Sequence, residues 1–225
     1  DKDTGKINQI KETTSDNKGI KTTEATNFYP DVPGIKKEVI SISEKEGITQ
    51  RETITTSYSN GDVRIIEGRN VDPKSILYKY VDGRTIEVKR DVFDKFNLYD
   101  PILEERIRRG LHDAGFRVAT IKEGVIVDGN QKVVVTGNAV TAINGDKLIS
   151  QWKGDEYQVF DGVRCPDKTC LNVDDLSRLK YDSGSKVTRY KHGALSEVEQ
   201  QVSETRRIKY DYSREGLIEI SQRLE

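Results

Sequence analysis

The chain has 225 residues, 34% apolar and 33% charged, with 37 Lys and Arg against 38 Asp and Glu. That length supports a core without metals or many disulfides, and the lean apolar share favours long strands with one solvated face over a thick interior. Balanced charge without long runs of one sign removes the usual footprint of a nucleic-acid or anionic-membrane partner, and apolar runs as short as Val133 to Val135 exclude a membrane helix of roughly 20 residues.

The sequence contains no Met and begins Asp1-Lys2-Asp3, the start expected of a processed, exported chain with a secreted or cell-surface location. Residues 1–27 are dominated by Lys, Thr, Asp, Asn and Glu, with Ile7, Ile10 and Ile20 as the sizeable apolar groups. A stretch of that kind buries too little apolar surface to fold alone. If ordered, it must lie against its own domain or a neighbouring subunit, with the three isoleucines as anchors of an assembly arm. Tyr29-Pro30-Asp31-Val32-Pro33-Gly34 then interrupts regular structure. The expected division is an extended arm and hinge over 1–34 and a β-rich body over 35–225, with a further boundary allowed near 92–116.

From Lys37 onward, alternating β-branched residues are punctuated by turn dipeptides. Glu38 to Ser43 and Ile48 to Tyr58 read as strands, and Asn60-Gly61 suits a type I′ hairpin. The same chemistry places turns at Asp82-Gly83, Asp128-Gly129, Asn144-Gly145, Asp161-Gly162, His192-Gly193 and Glu215-Gly216. Between these strands one helix stands out over 101–114. Asp100 can cap it, Pro101 suits its first turn, Leu103, Ile107, Leu111 and Ala114 share a face, and Gly115 ends it. Phe116 to Ile121 returns as a strand. Val173 to Leu179 and Ser196 to Thr205 are weaker helical candidates, the second competing with a strand reading through Val198 and Val202. The expected fold is mainly β, an antiparallel meander or sandwich of hairpins, with one amphipathic helix and an extended N-terminal arm.

A repeat runs through the hairpins. Tyr78-x-Tyr80 is followed by Gly83 and Ile86-x-Val88, and Tyr210-x-Tyr212 by Gly216 and Ile218-x-Ile220. Period-two spacing sets each Tyr pair on one face, where a Tyr can pack on the returning strand. The pattern resembles the Tyr and Gly repeats of secreted shell-forming proteins, and Val133 to Asp146 resembles the β-solenoid strands of lipopolysaccharide-transport bridge proteins. Both likenesses are short and carry no function over.

Cys165 and Cys170, with Pro166 and Asp167 between them, suit a local disulfide in an oxidising compartment; buried free thiols are the second reading. Zinc is a distant third, because His112 and His192 lie far from the pair and four ligands are needed. No catalytic residue, cofactor or metal is assigned. His112 falls in the last turn of the helix, where a partial positive charge is favourable in itself, and His192 reads as a hairpin tip. Ser183-x-x-Lys186 matches a serine–lysine acylase pattern in a Gly/Ser-rich turn rather than on the helix that chemistry needs. Asp128-Gly129-Asn130 begins like a calcium loop and lacks the closing Glu. No Asn-x-Ser/Thr acceptor occurs, which favours a bacterial, archaeal or viral origin.

These readings point to a non-enzymatic extracellular subunit that self-assembles into a filament, appendage or layer, its N-terminal arm packing on the next copy and the chain itself as its partner. An adhesin or scaffold using the ten Tyr and Trp152 as a contact surface is the alternative, although those Tyr more simply stiffen cross-strand pairs. A phage or virus structural component fits equally, and a hydrolase with unrecognised carboxylates comes last.

Overall fold

The computed structural model describes residues 7–17, 19–28, 34–69, 72–137, 139–166, 179–203 and 205–224. They fall into two compact units, residues 1–99 with 117–120, and residues 100–116 with 121–225. The chain is mostly β-strand, with two short helices among the described residues.

In the first unit, β1 (Ile7–Asn17), β2 (Ile20–Phe28), β3 (Ile35–Lys45), β4 (Ile48–Tyr58), β5 (Val63–Arg69), β6 (Asp72–Lys79) and β7 (Thr85–Lys89) follow one another. Each runs antiparallel to the next. Residues 7–28 of the stretch read as an arm therefore form a hairpin that continues the sheet, Ile20 opposite Lys45 and Phe28 opposite Lys37. The side chains of Ile7 and Ile10 and the hinge at 29–33 lie outside the described residues; Ile20 is exposed. After β7 comes helix α1 (Arg90–Lys95), packed on β6 and β7. Strand β8 (Val118–Lys122) then lies parallel to β7, with Val88 opposite Ala119.

Alternation in these strands aligns one apolar row, Ala25–Ile40–Ile54–Ile66–Ile76–Val88, across six of them. Ile76 and Val88 are buried and the others half-buried. Asn60-Gly61 lies in the turn from β4 to β5, but not as the expected type I′ pair, because Gly61 at φ 94° is in the left-handed region and Asn60 is not. Asp62 follows, and its carboxylate accepts from Asn60 Nδ2 at 2.8 Å and from the backbone N of Val81 at 3.1 Å, tying this turn to the next hairpin.

Among the described residues the second unit contains helix α2 (Pro101–Ala114) and nine strands: β9 (Val125–Asp128), β10 (Gln131–Thr136), β11 (Ala139–Asn144), β12 (Lys147–Lys153), β13 (Glu156–Arg164), β14 (Lys180–Lys191), β15 (Ala194–Ser203), β16 (Arg206–Ser213) and β17 (Gly216–Leu224). Again each strand is antiparallel to the next. The helix has the expected bounds and caps. Asp100 accepts from the backbone N of Ile102 and Leu103 at 2.9 and 3.2 Å, and Gly115 closes it in the left-handed region at φ 81°. Ile107, Leu111 and Ala114 are buried where α2 lies on β10, β11 and β12. Burying each of the two larger ones contributes roughly 1.5–3 kcal/mol. Gly110 faces the same sheet, where a Cβ would meet Val140 and Val133 at 3.5 and 3.6 Å, ordinary van der Waals contact that the site could accommodate. A second apolar cluster of Val134, Ile143, Leu148, Phe160, Val163 and Val187 joins β10 to β14.

Two local expectations are corrected. Ser196 to Thr205 is not helical, because Ala194–Ser203 is strand β15, paired along its length with β14 and β16. Ser196 Oγ donates to Arg189 O at 3.0 Å instead of capping a helix. Asp161-Gly162 is not a hairpin turn but an interior irregularity of β13, where the register on β14 jumps from Asp161–Lys186 to Val163–Tyr181. Gly162 holds φ 68°, and a Cβ there would lie 3.1 Å from that of Ser185. Gly162→Ala is expected to destabilise the protein by roughly 1–2 kcal/mol from the left-handed backbone alone, measured as a shift in the urea midpoint without a change in slope. The Ser183 to Lys186 segment, read as a turn, lies within β14. Most of the candidate helix Val173 to Leu179 lies outside the described residues.

Candidate functional site

Strand registers in the second unit bring polar side chains into a row that sequence order does not reveal. Val134, Thr141, Gln151, Gln158, Arg189, Glu197, Asp211 and Glu219 stand opposite one another in turn from β10 to β17. Thr141, Gln151 and Gln158 are buried, and Gln151 Nε2 donates to Thr141 Oγ1 at 3.4 Å. Farther along, the row opens into a charged concavity of about 450 Å³ lined by Glu156, Arg189, Glu197, Glu199, Arg207 and Lys209 together with Ser221, Gln222 and Arg223.

The charges there interlock. Arg189 bonds Glu197 and also reaches Glu199 at 3.2 Å. Arg207 lies 3.3 Å from Glu199 and donates to Gln201 Oε1 at 2.6 Å. Lys209 bridges Glu197 at 2.8 Å and Asp211 at 3.0 Å, and its hydrogen bonds, first to Glu197 and then to Asp211, raise its pKa. These half-buried pairs each add modest stability, desolvation offsetting much of their attraction, but a lattice of fixed charges of both signs presents a specific pattern to a partner.

The opposite face carries aromatics. Val140, Trp152, Tyr157 and Tyr190 align across β11 to β14, with Trp152 and Tyr157 centroids 4.8 Å apart and Tyr157 and Tyr190 6.1 Å apart. Helix α2 lies over them. Arg106 sits 5.8 Å above Trp152 and donates to Gly154 O, and Arg109 sits 5.4 Å above Tyr157. Asp113, near the helix end, accepts from Ser150 Oγ at 2.6 Å and Tyr157 OH at 2.5 Å. His112 Nδ1 lies 3.5 Å from Asp113 Oδ1, so this histidine completes a hydrogen-bonded staple between helix and sheet. Tyr157 is buried here, as Tyr58, Tyr78 and Tyr80 are in the first unit, whereas Tyr99 is exposed.

The other sequence-marked residues do not converge. His192 is a β14–β15 tip residue, 3.1 Å from Asp155. Ser183 and Lys186 are exposed along β14. Asp128 to Asn130 turn β9 into β10, and among the described residues no group of three His, Cys, Asp or Glu is placed to hold a metal. Cys165 is buried and its backbone N donates to Asp146 O at 2.6 Å; Cys170 lies outside the described residues. No described helix is long and apolar enough to cross a membrane. The charged face was missed in the sequence, although Glu197-x-Glu199-x-Gln201, Arg207-x-Lys209-x-Asp211 and Glu219-x-Ser221-x-Arg223 carry its period-two signature. Comparison with protein-family models, curated proteins and solved structures finds no match to this chain.

Proposed function

We propose that the chain is a non-enzymatic structural subunit, acting outside the cell or at its surface, that assembles with copies of itself through its N-terminal strands. The observation that carries this reading is the position of β1, which among the described residues pairs in register with β2 alone. One edge of an 11-residue strand is thus left to pair with a neighbouring copy. Main-chain hydrogen bonds along such an edge give affinity without large apolar side chains, which suits the composition of residues 1–28. Near-zero net charge permits many copies to pack without long-range repulsion.

Negative-stain electron microscopy at rising concentration, with and without residues 1–28, tests the proposal. Regular polymers are expected from the full chain and dispersed particles from the truncated one. Polymers that persist unchanged after truncation rule out the N-terminal contact. Dispersed particles in both samples favour the adhesin or scaffold alternative, whose contact surface would then be the charged concavity.

A further inference from the structure

The two copies of the Tyr-to-Ile pattern meet different fates. In the first, Tyr78 stands opposite Ile86 and both are 1% exposed, because β7 has another strand beside it and α1 packed on it. In the second, Tyr210 stands opposite Ile220 in the same way, yet Ile220 is 59% exposed and its neighbour Ile218 67%. Among the described residues the register partner of β17 is β16 alone. Exposed edge strands are normally guarded by Lys or Pro; β17 carries neither.

Its charges are also mismatched within the chain. Glu219 stands opposite Asp211, and Arg223 opposite Arg207. Like charges directly opposed across a strand pair are unfavourable. Neither Glu219 nor Arg223 has an ion-pair partner among the described residues, while Asp211 and Arg207 are already engaged by Lys209 and Glu199.

We propose that β17 pairs antiparallel with β17 of a second copy across a two-fold axis at Ser221. In that register Glu219 of each copy faces Arg223 of the other, adding two opposite-charge contacts that offset the like-charge pairs each copy carries across β16 and β17. Ile220 faces Gln222 of the second copy and lies diagonal to its Ile220, so the apolar row Val198–Tyr210–Ile220 continues across the joint. The row Arg189–Glu197–Asp211–Glu219 extends likewise on the charged face. The interface is isologous and independent of the N-terminal contact, so either can fail without the other.

Sedimentation of the full chain, carried out with Glu219→Arg, Arg223→Glu and the double variant, decides the matter. Each single exchange is expected to weaken dimerisation roughly tenfold or more, since two contacts turn repulsive at once, and the double variant should restore it. Both side chains are exposed, so folding is unaffected. Ser221→Cys supplies a second readout. Two residues facing each other across the axis lie about 4.5–5.5 Å apart at Cα, within disulfide reach. A disulfide joining the two copies through position 221, absent from the oxidised parent, is therefore expected in the peptide map. A chain that stays monomeric, dimers indifferent to the single exchanges, failure of the double variant to restore them, or no such linkage would overturn the proposal. Dimers lost on removing residues 1–28 but untouched by the exchanges would place the contact at β1 instead.

Discussion

Replacing Asp113 with alanine is expected to destabilise the protein by roughly 3–5 kcal/mol, as breaking a buried charged network does. Its carboxylate collects Ser150 Oγ, Tyr157 OH and, at 3.3 and 3.5 Å, Arg109 Nε and His112 Nδ1. Truncation leaves buried hydroxyls without an acceptor and a guanidinium without its counter-charge. The acid side of the stability curve carries a second signature. Burial alone would push Asp113 up, but hydrogen bonds from His112, Ser150 and Tyr157 and the charge of Arg109 outweigh it and hold the group below the ordinary carboxylate value. The folded state therefore binds this proton less tightly than the unfolded state. Its contribution is present above about pH 4 and is lost as pH falls through the lower folded value.

Tyr157 behaves in the opposite sense. Burial first, and then the negative charge of Asp113, push its phenol up to about 12. The folded state favours the neutral form, so this contribution is complete below about pH 10 and fades as pH rises through the folded value. Urea unfolding of Asp113→Asn across pH should show a flatter acid limb, and ultraviolet titration should show Tyr157 ionising at lower pH than in the parent. An acid limb identical to the parent's would mean that Asp113 is not the group that links proton binding to folding.

Phe93→Ala is expected to cost about 3–5 kcal/mol in the first unit, the range for deleting a buried aromatic ring. Phe93 and Val92 are the buried residues of α1, a helix of only six residues whose N-cap makes no side-chain hydrogen bond. So short a helix has little stability of its own and is held by packing. The Phe93 ring meets Tyr99 edge-on with centroids 4.6 Å apart, and Leu98 beside it is buried. Calorimetry and near-ultraviolet circular dichroism should report the loss together. A cost below about 1 kcal/mol would mean that the site collapses onto the gap, which Phe93→Leu, retaining most of the volume, would separate from a merely local effect.

The difference between what could and could not be foreseen follows from the range of the determining interactions. Asn60-Gly61, Asn144-Gly145 and the Asp100-Pro101 start are decided within a few residues, and their turns and helix stand where expected. Glu46 and Glu123 adopt positive φ before glycine, turning strands with dipeptides that lack the short side chain of Asn or Asp. Ser196 to Thr205 has a capping-box spacing, and only its two neighbouring strands make it β. For Asp161-Gly162, turn chemistry is present but the partner is distant: the irregular pairing with β14 holds position 162 in the left-handed region close to Ser185, which favours glycine, and a local reading assigns that glycine to a hairpin. The charged face was least legible of all. Which side of a strand a residue occupies depends on bulges such as those at Arg189/Tyr190 and Gln201/Ser203, each of which exchanges the faces beyond it.

Because nearly every strand pairs with the one just before it in the chain, ordering can spread from any one hairpin by adding the next, and loop-closure entropy is met in small steps. Sheets of this breadth would be slow to form were their strands threaded from distant parts of the sequence. The junction of β7 with β8 is the exception, since a parallel partner can dock only after the intervening 28 residues, 90–117, have been accommodated. Among the described residues it is the one strand pairing of that kind, and it is expected to be the slow step in folding.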